Sequence, residues 1–111
     1  MKSEHDPNAF GLRSGMLEQL KNLFKSYKEI DSVVLYGSRA KGTYRPGSDI
    51  DITIKGEQFK DTLVGKLAED IDDLLLPYSF DISSWTEIDN PELLEHIDRV
   101  GIVIYQKPYT P

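Results

Sequence analysis

The connection between two β-type segments constrains the fold of this chain more than any other feature of its sequence. Residues 32–37 (SVVLYG) are a short apolar run with β-branched residues, which is typical of a buried strand. Residues 49–55 (DIDITIK) alternate polar residues with isoleucines, which is typical of a strand with one buried face. Because too few residues separate the segments for an ordinary crossover helix, they predict a mixed sheet rather than an all-parallel one.

Periodicity in the rest of the chain completes an α/β pattern. Gly37 ends the first strand, and a short helix or turn is predicted directly after it. Elsewhere apolar residues recur at helical spacing or alternate as in strands, giving the order α-β-(short α)-β-α-β-α-β. This order predicts a small mixed β-sheet with helices packed on one side. The further predicted helices cover residues 12–28, 57–76 and 90–100, and the further strands cover residues 78–85 and 101–106.

Length and composition predict one domain. The 111 residues suffice for one modest core, and we assign the domain to residues 12–107 behind a short tail, residues 1–11. The absence of cysteine excludes disulfides and thiolate metal sites and is typical of the reducing cytoplasm. No apolar run approaches the roughly 20 residues of a membrane span. We therefore expect a cytoplasmic protein without a membrane partner.

Charge is distributed unevenly along the chain. The net charge of −6 argues against an extended nucleic-acid surface, because phosphate repels a negative surface. Between residues 35 and 48, however, the charged residues are Arg39, Lys41 and Arg45, with no acid among them. A positive loop on a negative protein indicates a small anionic ligand, although a merely solvated loop would carry the same charges.

Three familiar nucleotide or metal motifs are excluded by position. A Walker A loop would need lysine where Thr43 stands, and a Rossmann Gly-x-Gly-x-x-Gly fingerprint does not occur in the chain. An EF-hand loop beginning at Asp49 would need glycine and glutamate at the positions that Ile54 and Lys60 hold. The loop therefore needs another explanation.

Gly37 and Ser38 form a candidate anion site beside a candidate metal site. Gly37 permits a tight turn, and the free N–H groups after it, together with the Ser38 hydroxyl, can bind an anion. Asp49 and Asp51 project from one strand face with Cα atoms roughly 6.5–7 Å apart. Two such carboxylates repel each other unless a cation lies between them. Mg²⁺, which prefers oxygen ligands, would remove this repulsion and bridge to phosphates.

Asp81 is the candidate third carboxylate. It alternates with Phe80 and Ile82 on a later predicted strand, and therefore lies on that strand's polar face. Sequential strands are usually neighbours, so we expect this strand beside the one that carries Asp49 and Asp51. Three carboxylates then converge, which is enough for a two-ion site of phosphoryl or nucleotidyl transfer. The alternative is a solvated residue on an open sheet face.

The stretch GSRAKGTYRPGSDID, residues 37–51, resembles a family signature. It matches the Gly-Ser, ten residues, Asp-x-Asp pattern of the minimal nucleotidyltransferases within the DNA polymerase β-like superfamily. Residues 79–83 (SFDIS) are similar to the strand that carries the third carboxylate of that family. The resemblance covers about residues 30–105 and implies a nucleotidyltransferase fold, with transfer of NMP, expected to be AMP from ATP, and release of pyrophosphate.

The resemblance also implies roles for the site residues and a partner. Asp49, Asp51 and Asp81 would be catalytic and bind Mg²⁺ as a two-ion site; Gly37, Ser38, Arg39 and Lys41 would bind the phosphates; and Ser48 would fix the loop or contact a phosphate. Minimal members are commonly paired with a helical HEPN protein, which implies an antitoxin that modifies a HEPN toxin. The competing hypothesis is a non-catalytic module that neutralises a helical partner by occlusion. Whether the chain forms homo-oligomers stays open.

Overall fold

The fold is built on one mixed sheet. A computed structural model of the chain describes residues 9–13 and 15–108. Within these residues the strands are β1 (Ser32–Tyr36), β2 (Ile50–Lys55), β3 (Phe80–Ser84) and β4 (Ile102–Gln106). They lie in the order β3-β2-β1-β4, with β1 antiparallel to β2 and β4, and β2 parallel to β3. The predicted mixed sheet is therefore confirmed.

The helices occupy the connections between these strands. In the described part of the chain they are α1 (Met16–Lys25), α2 (Gly37–Lys41), α3 (Asp61–Asp72) and α4 (Pro91–Val100), with 3-10 turns at Ala9–Gly11 and Trp85–Glu87. The short α2 leaves β1 and β2 antiparallel, whereas α3 returns the chain so that β2 and β3 run parallel. None of the helices in the described residues is both long and apolar enough to cross a membrane.

Local backbone and capping interactions determine where the helices begin. α1 begins only at Met16, because Gly15 before it has a left-handed backbone (φ 83°). α4 begins at Pro91, directly after Asn90, whose side chain accepts hydrogen bonds from the N–H groups of Glu92 and Leu93. Residues 1–8 of the predicted tail lie outside the described residues.

The main core lies between one face of the sheet and the helices α1 and α3. β2 contributes its three isoleucines to it, at 1%, 0% and 0% exposure, and the Phe24 ring of α1 packs against the Tyr105 ring with 5.8 Å between centroids. The alternation of β2 predicts this face correctly. Other core residues are Met16, Leu20, Val33, Leu35, Phe59, Leu67, Ile71 and Ile104.

The position of α4 corrects the prediction that the helices pack on one side. Ile97 of α4 is buried against Val34 and Tyr36, which point away from the main core on β1. The side chains of β1 are buried on both faces, so the strand needs cover on its second face as well. The helices therefore enclose the middle of the sheet, and the polar face of β2 lies beside α4 rather than on an open surface.

Candidate active site

A row of three polar side chains crosses the sheet at one level. Asp51 of β2 is the register partner of Tyr36 on antiparallel β1 and of Asp81 on parallel β3. All three lie on the face opposite the isoleucines, because side chains alternate along a strand. Neighbouring strands are about 4.8 Å apart, so the Asp51 and Asp81 side chains are immediate neighbours. The expectation that these two strands are adjacent is confirmed.

Gly37 brings the loop after β1 into contact with the Asp51 carboxylate. Its φ of +74° is a left-handed conformation that glycine adopts without strain. A Cβ atom added to Gly37 would overlap Asp51 Oδ2, so the carboxylate lies directly against the glycine backbone. Asp51 therefore lies between Asp81 of β3, on one side, and the start of α2, on the other.

The electrostatics of this region disfavour a negative charge on Asp51. Burial is the main cause that raises the pKa of Asp51 above its ordinary value, and the charges of Asp81 and Asp49 raise it further. His96 opposes these effects. Burial also raises the pKa of the Tyr36 phenol, with smaller contributions from the two neighbouring carboxylates. An added cation would relieve the same repulsion.

The fit of this region to Mg²⁺ can be judged from its donor set. Asp51 is partly buried, whereas Asp81 and Asp49 are exposed, and Asp49 directly precedes β2. Their oxygen atoms are the ligands that Mg²⁺ prefers. In the described residues, however, no group of three or more His, Cys, Asp or Glu side chains is arranged to hold a metal ion. The donor chemistry and backbone positions fit, while the carboxylates would have to reorient to enclose an ion.

The predicted phosphate-binding residues occupy different environments. Ser38 is partly exposed in the first turn of α2, and Lys41 is exposed at its last residue. The Ser48 hydroxyl accepts a hydrogen bond from the Arg45 N–H (2.9 Å), and the Ser48 N–H donates to the Arg45 carbonyl (2.9 Å). Of the two roles left open for Ser48, these contacts favour fixing the loop.

Arg39, one of the predicted phosphate-binding residues, is buried and contacts backbone carbonyl groups in this structure. The side chain is only 3% exposed, and its guanidinium donates to the Ser48 carbonyl and to the Phe10 carbonyl. The sequence does not indicate this burial, because a basic residue in a loop is usually solvated. One of its partners, the Phe10 carbonyl, comes from a segment 29 residues earlier in the chain, which local pattern does not reveal.

Sequence reasoning missed Tyr36 and His96. In the sequence, Tyr36 stands at the end of an apolar run, and His96 stands near charged residues in a predicted helix. The His96 ring instead meets the Tyr36 ring edge to face, with 6.2 Å between centroids. A signal was present, since His96 follows Leu93 by three residues and precedes Val100 by four, which is the spacing of one helix face.

Comparison with known families gives one extensive match. The family described as polymerase beta nucleotidyltransferase matches residues 18–110, which include every candidate site residue named above. No curated protein sequence matches the chain significantly.

Several solved structures are similar to this chain. One is a toxin–antitoxin complex with AMP-PNP, matched with a TM-score of 0.68 and 18% identity over 82% of this chain and 73% of that chain. Another is a tri-AMPylated Shewanella oneidensis HEPN toxin in complex with an MNT antitoxin, with a TM-score of 0.62 and 15% identity over 82% and 70% of the two chains. A third is the toxin–antitoxin MntA-HepT, with a TM-score of 0.61, 15% identity and the same two coverages. At these identities the likeness shows the fold alone.

Proposed function

This chain belongs to the polymerase beta nucleotidyltransferase family, and we propose that it transfers AMP from ATP to a hydroxyl group of a HEPN-type protein. Family membership supports nucleotidyl transfer with release of pyrophosphate. The observation that carries the proposal is the position of Asp51. Its carboxylate lies between Asp81 and the backbone of Gly37, so a nucleotide whose phosphates contact the loop would present its reacting phosphorus to the carboxylates.

The loop residues would bind the leaving part of the nucleotide. The N–H groups at the start of α2 have no side-chain cap, and with the Ser38 hydroxyl they can donate hydrogen bonds to the β- and γ-phosphates. Lys41 is exposed at the other end of α2, where its charge can neutralise the same phosphates. Gly37 leaves room for the approach because it has no side chain.

The carboxylates would bind Mg²⁺ and receive the proton. Asp51 and Asp81 would hold the ion, with Asp49 as a further ligand, and the bound ion would neutralise the phosphates of the nucleotide. In the reaction the acceptor oxygen forms a bond to the α-phosphorus, and the bond from that phosphorus to the oxygen bridging to the β-phosphate breaks. Pyrophosphate takes the electron pair of the broken bond. Asp81 is the most exposed member of the row, and it would accept the hydroxyl proton.

The identity of the acceptor rests on the similar structures. They are described as toxin–antitoxin complexes, and one of them contains an AMPylated HEPN toxin. The fold they share with this chain supports a helical HEPN-type partner and an antitoxin role. The cysteine-free composition supports the cytoplasm as the place where this reaction occurs.

The test is a labelling reaction with purified components. The chain and a HEPN-type partner are incubated with each α-labelled nucleoside triphosphate, with Mg²⁺ or with a chelator, and partner labelling and pyrophosphate release are measured. We expect labelling that requires Mg²⁺, is strongest with ATP and is lost in Asp51→Asn.

Glu57→Gln, which changes an exposed acid just beyond β2, is the matched control and should label normally. Neutralisation of the partner without labelling by any nucleotide would contradict the enzymatic proposal and support occlusion by binding.

A further inference from the structure

Arg39 is a buried cation held by carbonyl groups. Nε and one terminal nitrogen donate to the Ser48 carbonyl at 3.2 and 2.9 Å, and the other terminal nitrogen donates to the Phe10 carbonyl at 3.0 Å. Among the described residues it forms no ion pair with a carboxylate. A charge this deeply buried is costly unless its donors are satisfied. The planar guanidinium meets that need by reaching two separate segments at once.

Two tyrosine rings complete the environment of this guanidinium. Its central carbon lies 5.0 Å from the centroid of the Tyr44 ring and 5.2 Å from that of the Tyr78 ring, within the range of cation–π attraction. The Tyr78 hydroxyl also donates to the Gly11 carbonyl (3.4 Å). Arg39 is therefore held in one position by contacts of several kinds rather than by charge alone.

The partners of Arg39 belong to the segments that carry the candidate site. Arg39 itself directly follows Ser38 in α2, and Ser48 directly precedes Asp49. Tyr78 lies three residues before Asp81. One side chain thus connects the phosphate-binding segment to both segments that carry carboxylates.

The turn at Ala9–Gly11 closes over the same guanidinium. Gly11 has a left-handed φ of +71°, and a Cβ atom added there would overlap the Tyr44 ring and lie 2.9 Å from a terminal nitrogen of Arg39. No side chain fits between this turn and the arginine. The turn therefore packs directly against Arg39, the residue that contacts the segments of the candidate site.

We propose that Arg39 is a positioning residue that fixes the phosphate-binding segment relative to the carboxylates, with the turn at Ala9–Gly11 as part of the same scaffold. This inference rests on the proposed nucleotidyl transfer. A hydrophobic residue of similar volume often stabilises a protein as well as a buried charge does. What it lacks are directional donors, which set the position of the Ser48 carbonyl and hence of the strand that begins two residues later.

The test compares Arg39→Lys and Arg39→Met with Arg99→Met. Lysine keeps the charge but cannot bind two carbonyl groups in the same geometry, and Arg99 is an exposed arginine on α4 paired with Glu95. For both Arg39 variants we expect kcat of labelling to fall on the order of 10- to 100-fold, because misplaced reacting groups slow the chemical step. The KM for ATP should change by less than about 5-fold, since the phosphate-binding groups remain. Arg99→Met should leave both constants within a factor of about two.

Amide hydrogen exchange provides a readout that does not depend on activity. In Arg39→Lys, exchange should accelerate about 10-fold or more in residues 44–50 and in the turn at Ala9–Gly11, while the central strand β1 keeps its protection. Equal acceleration in every element, with kcat lost only in proportion to the folded fraction, would indicate general destabilisation and overturn the inference. Wild-type kcat and wild-type exchange in Arg39→Lys would overturn it as well.

The two proposals can fail separately. If the wild-type protein transfers no nucleotide under any condition, the proposed function fails, and the exchange pattern still decides whether Arg39 fixes the loop. If Arg39→Met does not fold, Arg39→Lys and Gly11→Ala replace it. Gly11→Ala should give the same local acceleration, because its new methyl group displaces the Tyr44 ring and the guanidinium.

Discussion

One face of the sheet stabilises the fold, and the other carries the candidate active site. The face toward α1 and α3 is apolar and closed, with Ile52 and Ile54 fully buried. The face toward α4 carries the row of Tyr36, Asp51 and Asp81 and is only partly covered. The same strand, β2, serves both faces through alternation of its side chains. The first face stabilises the fold by burying apolar surface, whereas the second holds like charges together at a cost to stability.

Along β2, residues that stabilise the fold therefore alternate with residues that carry the proposed chemistry. Substitutions at adjacent positions of β2 should therefore have opposite signatures. One class should reduce stability and leave the chemistry of the remaining folded protein intact. The other should remove the chemistry and leave the fold unchanged or slightly more stable.

The largest expected effect is on the chemical step. Asp51→Asn should lower the rate of nucleotidyl transfer by about 10²–10³-fold, because it removes a charge that the proposed reaction needs next to the phosphates. The protein should remain folded by circular dichroism. The rise in melting temperature that Mg²⁺ and ATP together give by binding to the native state should also be lost. An unchanged rise in Asp51→Asn would show that the metal assignment is wrong.

The corresponding change on the other face should act on stability. Ile52→Ala removes a side chain with 0% exposure and should lower the free energy of unfolding by about 2–5 kcal/mol, the range for cavities of this kind. Urea denaturation measures this change. Transfer activity per folded molecule should stay within a few-fold of wild type. A large loss of specific activity with little loss of stability would break the separation between the faces.

The contact between the segment after β1 and the Asp51 carboxylate can be tested at Gly37. Gly37→Ala meets both a left-handed backbone and the Asp51 carboxylate, whereas Gly42→Ala meets a left-handed backbone (φ 82°) with no atom within 4 Å. Each should lose about 1 kcal/mol of stability from the backbone alone. Gly37→Ala should in addition reduce transfer about 10-fold or more, because the carboxylate has to move. Equal activities of the two variants would argue against the contact.

A smaller effect is expected on the pH dependence of the metal-free protein. The pKa of Asp51 is raised in the folded state by burial and by its acidic neighbours. The folded state therefore binds the proton more tightly than the unfolded state, and the stabilisation from this group is present at low pH and lost as the pH rises through the folded-state pKa.

At neutral pH, in the absence of metal, Asp51→Asn should accordingly be as stable as wild type or more stable, by less than about 1 kcal/mol, since the group is partly solvated. Its advantage should disappear toward the ordinary pKa of aspartate. Denaturation curves of the two proteins over this pH range measure the difference. A wild type that is more stable than the variant at neutral pH would contradict the sign.

The smallest expected effect is that of a chelator. The isoleucines of β2 bury the strand from the other face, so folding does not require an ion between the carboxylates. Adding a chelator to the protein without nucleotide should leave its melting temperature unchanged within about 2 °C. Unfolding at neutral pH on chelation would instead indicate a structural metal.

The sequence by itself determined the features that depend on local pattern. The alternation of β2 predicted which face is buried, and the spacing from Gly37 to Asp51 predicted the family. The short segment after β1 predicted a mixed sheet rather than an all-parallel one, because chain length alone limits what such a connection can do. The strand of Asp81 was also placed correctly, since sequential strands are usually neighbours.

The tertiary structure decided which polar groups are buried and what they contact. Arg39 takes its partners from Phe10 and Tyr78, 29 and 39 positions away in the chain, and His96 meets Tyr36 only because α4 covers the second face of β1. Periodicity records which side of an element is apolar but not which distant segment will cover it. Burial of these residues follows from how the elements pack in three dimensions, and for that reason it could not be predicted from the order of residues alone.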